Sequence, residues 1–166
     1  MTIELSVVGV PYPQGSKSAF VRGGRAVLTE GSSATGRAGH AAWRQAVATA
    51  TRDYLDLYPR QALDEAIRVT MHFYFPLTAD RYRTRHRTKP DLSKLIRATE
   101  DAMVDGGLLR DDSLIYALTA SKWYAHDRPP GCVISIDPMG DSEAVDREAR
   151  KQLAAQARKQ TKQGDA

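Results

Sequence analysis

The stretch from Lys89 to Asp112 constrains the fold most, because it carries a helix with both ends marked. Pro90 disfavours helix in the residue before it, and Asp91 stands where an N-cap stands. Leu92, Leu95, Ile96, Thr99, Ala102 and Met103 recur at the three- and four-residue spacing of one buried helix face. Gly106-Gly107 ends the helix, since glycine takes the left-handed C-cap conformation at little cost. Leu108-Leu109 follow, then the acidic pair Asp111-Asp112, then a strand-like run. Carboxylates therefore mark the start of a helix and the approach to the next strand. A short helix-to-strand return can bring such positions together in space.

The rest of the chain reads around that unit. Ile3, Leu5 and Val7 alternate with Glu4 and Ser6 as a first strand. Pro11 to Lys17 is rich in turn formers and reads as a loop. Gly23-Gly24 separates Phe20-Val21 from Ala26-Val27-Leu28, a short hairpin. A helix is expected from about Gly39 to Tyr58, with Ala42, Trp43, Val47 and Ala50 on its apolar face. Ile67, Val69, Met71, Phe73 and Phe75 alternate with polar neighbours in the clearest strand. Leu114 to Trp123 and Cys132 to Ile136 read as the last two strands. The brief connection over 125–131 predicts a hairpin between them, hence antiparallel pairing. The expected class is α+β, a mixed or mostly antiparallel sheet with two core helices on one face, in a single domain spanning 1–140. Residues 141–166, rich in Ala, Gln, Lys and Arg, are expected to form a surface helix, a partner helix or a tail.

With 166 residues and 42% hydrophobic content, one domain with a real core is expected. The net charge of +4 permits an anionic partner. Cys132 is the lone cysteine, so no internal disulfide can form; it reads as a small core residue in a reducing compartment. No signal peptide is visible, and no apolar run approaches the ~18 residues of a membrane span. Phosphate-loop spacing is missing, which argues against a nucleotide cofactor. His40, His72, His86 and His126 lack zinc-ligand spacing.

The pattern Lys89-Pro90-Asp91-x-x-x-Leu95, a basic residue, a helix, then Gly107 with Asp111-Asp112, resembles the RusA family of Holliday-junction resolvases. Pro11-Tyr12-Pro13-Gln14-Gly15-Ser16-Lys17 resembles the proline-containing loop after that family's first strand. The likeness runs over roughly residues 3 to 137, with its specific part between Lys89 and Asp112. It implies a homodimeric, Mg²⁺-dependent endonuclease, with Mn²⁺ as a substitute, that cuts four-way DNA junctions by paired symmetric nicks. It also implies a cytoplasmic protein, bacterial or phage-encoded.

By that resemblance Asp91 and Asp112 are metal-binding and catalytic carboxylates. Mg²⁺ takes oxygen ligands, commonly one or two carboxylates completed by water and phosphate oxygens. The family carries a third aspartate where this chain has Ser93, a neutral and weaker ligand. Asp111 is a further candidate, provided the strand begins only after it. Asp101 lies about 15 Å from Asp91 along a helix, too far to share an ion. Glu100 is nearly as far, so both read as surface ion pairs or polar contacts. Arg97 stands at a family lysine position, where a cation holds phosphate or offsets developing charge; an ion pair with Asp101 is its plainer use.

Arg81, Arg83, Arg85, Arg87 and Lys89 alternate with Tyr82, Thr84, His86 and Thr88. If extended, this segment aims a row of cations at a DNA backbone, with Tyr82 and His86 placed to stack on bases; a flexible, solvated basic loop is the plainer reading. Lys94 and Lys17 are further candidate phosphate contacts. Three readings stay open: a junction-cutting enzyme, a branched-DNA-binding protein on the same scaffold whose cleavage is lost through Ser93, or a protein-interaction module that uses the Ala-rich basic C-terminal helix.

Overall fold

The computed structural model describes residues 1–15, 17–22, 25–30, 34–78 and 82–140, together with Arg147, Lys151 and Gln152; the side chains of 17–22, 25–30 and 34 fall outside the description. The elements run β1 (Ile3–Val8), β2 (Lys17–Arg22), β3 (Arg25–Glu30), α1 (Ala34–Leu57), β4 (Ile67–Phe75), α2 (Leu92–Asp105), a 3-10 turn (Asp112–Leu114), β5 (Ile115–Tyr124) and β6 (Gly131–Pro138). The class is α+β, as expected: a four-stranded mixed sheet in the order β1-β6-β4-β5, plus the hairpin β2-β3. The hairpin pairs Phe20 with Val27 and Val21 with Ala26. Lys17 opens β2, so it belongs to a strand rather than to the preceding loop. The expected C-terminal helix lies almost wholly outside the described residues; Arg147, Lys151 and Gln152 are helical.

Period-two alternation builds one face of the sheet. Ile3, Leu5 and Val7 of β1, the odd-numbered residues of β4 from Ile67 to Phe75, and Cys132, Ile134 and Ile136 of β6 are all buried. Their register keeps them on one side, with Ile3 opposite Ile136 and Ile136 opposite Val69. Trp43 and Val47 of α1 and Leu95, Ala98, Ala102 and Met103 of α2 close the same core. Burial pushes the Cys132 thiol far above its ordinary range, in keeping with its place in that core.

Two contacts lock the helices together. Trp43 Nε1 donates to Thr99 Oγ1 at 3.1 Å, and Thr99 Oγ1 donates to the Leu95 carbonyl at 2.9 Å. Gly106 lets the end of α2 meet α1: a Cβ there would lie 2.7 Å from the Thr51 Cβ. The left-handed residue of the pair is Gly107, at φ 84°, whereas Gly106 stays helical.

The β5–β6 hairpin does not form. β5 pairs parallel with β4, while β6 inserts between β1 and β4 and runs antiparallel to both. The connection over 125–130 passes across the end of β4, where Ala125 N–H donates to the Phe75 carbonyl. β6 suits a central position because its apolar run is flanked closely on both sides; a Cβ on Gly131 would lie 2.0 Å from the Val7 carbonyl oxygen. β5 suits an edge, with polar Thr119, Ser121 and Lys122 and with Tyr116 and Leu118 exposed.

Candidate active site

Lys122 organises the start of α2. It lies on β5 opposite Phe73, and its Nζ donates to the carbonyls of Thr88 and Pro90, each at 2.7 Å. The turn through the cis Lys89–Pro90 bond is held there, and it delivers Asp91 to the N-cap position. The Asp91 carboxylate makes no capping hydrogen bond. It faces Lys94 Nζ at 3.5 Å and is exposed. Asp91, Lys89 and Lys94 line a cavity of about 430 Å³ with Tyr12, Phe75 and Pro90. The loop after β1 forms its opposite wall, pinned where Gln14 N–H donates to the Lys94 carbonyl at 3.1 Å.

Asp112 lies elsewhere. It shares a second cavity, of about 210 Å³, with Asp111, Asp101, Asp105, Val104 and Arg44. The helix-to-strand return thus leaves Asp91 and Asp112 in separate cavities, one at the beginning of α2 and one along its later turns. The strand begins at Ile115, after both aspartates, so Asp111 and Asp112 reach the same space. Asp111 caps the 3-10 turn by accepting from Ser113 N–H at 2.9 Å, and this bonding to Ser113 lowers its pKa.

The later turns of α2 hold more acid than the spacing from Asp91 conveyed. Asp101 accepts from Gln14 Nε2 at 3.1 Å, and Asp105 pairs with Arg44. Half-buried Glu100 has its pKa raised, first by burial, then by Asp112 and Asp101, with Arg97 opposing. The signal that finds Glu100 and Asp101 is their stripe with Val104, at three- and four-residue steps along the helix. Lys122 and Arg44 were missed, because neither carries a local motif.

A pH dependence follows from Glu100. Its folded pKa stands above the unfolded value of about 4.5, so the folded state is penalised for ionising it at neutral pH and relieved as pH falls below 4.5. Glu100→Gln is expected to raise the melting temperature at pH 7, with the gain fading by pH 4. Thermal melts of both proteins across that range provide the check, and a pH-independent difference would contradict the assignment.

The cationic segment is extended over residues 84–86. His86 N–H donates to the Lys122 carbonyl at 3.1 Å and Tyr124 N–H to the Thr84 carbonyl at 2.9 Å, so residues 84–86 run along the outer edge of β5. Arg83, Arg85 and Arg87 are exposed, Arg85 lying over the Trp123 ring at 6.0 Å. Tyr82 is 96% exposed. His86 turns inward instead: it stacks on Phe75 at 4.1 Å and meets Tyr124 at 5.0 Å, so it is not free to stack on a base. Burial, followed by the Lys122 charge, lowers its pKa. Ser93 and Arg97 are exposed on α2. Arg81 and the Lys17 side chain lie outside the described residues.

Among the described residues no three His, Cys, Asp or Glu side chains gather to hold a metal by themselves. The donor chemistry nonetheless suits a hard cation, since the second cavity is lined by carboxylates and its negative charge is felt at Glu100. No described helix is long and apolar enough to cross a membrane. The model of one protein family, described as endodeoxyribonuclease RusA, matches residues 10–137. No curated protein matches the chain.

Proposed function

Because the chain belongs to the RusA family of endodeoxyribonucleases, we propose that it is a Mg²⁺-dependent, structure-selective nuclease that resolves four-way DNA junctions as a homodimer, by paired symmetric nicks. The observation that carries this reading is the arrangement along α2: a carboxylate between two lysines at its start, and an acidic cavity around Asp112 along its later turns. Asp91 and Asp112 are the carboxylates assigned to Mg²⁺, with Asp111 and Ser93 as additional oxygen donors. One or two carboxylates with water and phosphate oxygens suffice for Mg²⁺, so neither aspartate needs the other within its own cavity. When bound, Mg²⁺ lowers the pKa of a water and offsets charge on the phosphate.

The protein's own groups do the rest. Arg97 binds phosphate oxygens in pairs through its planar fork and opposes the charge that builds on them. Lys89, Lys94, Arg83, Arg85 and Arg87 hold the backbone on either side, with Arg81 and Lys17 assigned the same task. Such contacts position DNA without reading its bases, so selectivity rests on junction shape. Their loss would flatten the salt dependence of binding by about one unit of slope per contact.

Ser93 favours a second reading, a branched-DNA-binding protein that does not cut. Ser93→Asp separates the two. A protein already competent with serine gains less than about tenfold in Mg²⁺-dependent nicking, whereas a non-cutting protein gains cleavage from none. Initial rates on a labelled four-way junction decide it; cleavage appearing only in the variant would replace the first reading with the second.

A further inference from the structure

We propose that the cavity beside Asp91 receives a single unstacked nucleobase from the branch point of the DNA. This rests on the junction-binding reading above. The cavity is about 430 Å³, within the size range of small-molecule sites. Its walls are flat and apolar: the rings of Tyr12 and Phe75 with Pro11, Pro13 and Pro90. Lys89 and Lys94 stand at the same cavity, so an apolar pocket is joined to phosphate-binding charge. That pairing fits a nucleotide, whose base has a π-face and whose link to the chain is an anion.

The walls are preformed. The Tyr12 ring packs against α1 at Gly39, where a Cβ would come within 2.5 Å of it. Its loop is fixed to α2 at both ends of Gln14, through the Lys94 carbonyl and the Asp101 carboxylate. Phe75 is backed by the stacked ring of His86. Pro90 is held through its carbonyl by Lys122. A pocket built this firmly loses little freedom when a base enters. Bases at a branch point give up less stacking on leaving the helix than bases within a duplex. Because Asp91 lines the same space, a base seated there would bring its own phosphate beside a carboxylate assigned to Mg²⁺.

The test needs no cleavage. A four-way junction carrying 5-iodouracil at the branch point is bound in EDTA and irradiated, and the cross-linked peptide is identified by mass spectrometry. The expected adduct lies on residues 10–13 or on Phe75, and the same probe in mid-arm gives none there. Tyr12→Leu is expected to weaken junction binding about tenfold with duplex binding within twofold, while Tyr12→Phe, which keeps the ring, binds as wild type. Should Tyr12→Leu fail to fold, the cross-link still decides. Tight junction binding with cross-links only elsewhere, or with Tyr12→Leu unchanged, overturns the base pocket alone. Failure of the wild-type protein to bind junctions overturns the junction reading with it.

Discussion

Asp112→Asn is expected to lower Mg²⁺-dependent cleavage of a four-way junction by on the order of 10³-fold. The substitution removes one negative charge and preserves shape. Asp112 is exposed, so the fold should stand. Binding to the junction in EDTA should be kept or slightly tightened, because without a cation the Asp112 charge only repels phosphate. Asp105→Asn supplies the contrast. Asp105 lines the same cavity, but its carboxylate is engaged by Arg44. Its loss is expected to cost less than tenfold in rate. Single-turnover cleavage of the three proteins gives the comparison. Equal losses for both variants would mean that the cavity's summed charge matters and that Asp112 has no special place in it.

Trp43→Ala carries the largest expected effect on stability, about 3–5 kcal/mol. The side chain is 1% exposed and sits where α1, α2 and the sheet meet. Its ring lies 6.3 Å from that of Phe73, and its Nε1 supplies the hydrogen bond to Thr99. Truncation removes the ring from a closed core and leaves a cavity that two helices joined at Gly106 and Thr51 cannot easily collapse. A domain of this size has about 5–15 kcal/mol in total, so the variant should be marginal at 37 °C. Trp43→Phe keeps most of the volume and loses the hydrogen bond, with an expected cost of about 1 kcal/mol, since Thr99 still bonds to Leu95. Urea denaturation measures both. A Trp43→Ala cost below 1 kcal/mol would show that the helices do not depend on this contact.

Much of the fold could be read from residue spacing because single elements carry their own period. The alternation in β4 and the apolar stripe of α2 each describe one buried face: the odd-numbered residues of β4 are buried, as are Leu95, Thr99, Ala102 and Met103 of the stripe, with Leu92 and Ile96 half-buried and Ala98 buried beside them. Pairing between strands is a different matter. The 125–130 connection is short enough for a hairpin, and length alone cannot distinguish that from a passage over the end of β4. The decisive information is spread along β5 and β6. A strand with Lys122 and exposed Tyr116 belongs at an edge, and one running Cys132 to Ile136 after a crowded Gly131 belongs between neighbours.

The site divides in the same way. Asp91, its N-cap position and the cationic stretch were legible because they are contiguous. Asp112's neighbours were not. Glu100 and Asp101 are distant from Asp91 along the helix, whereas the chain folds back to place Asp112 near them. His86 illustrates the limit of alternation: it falls on the polar side of a charged run, yet the strand edge turns it onto Phe75.

The most direct test uses one labelled synthetic four-way junction, beside a linear duplex of the same sequence, with Mg²⁺ and with EDTA. The account predicts paired nicks placed symmetrically across the junction, lost in EDTA and absent from the duplex. Tight binding to the junction without nicks, or cutting that ignores EDTA or falls equally on the duplex, would contradict it.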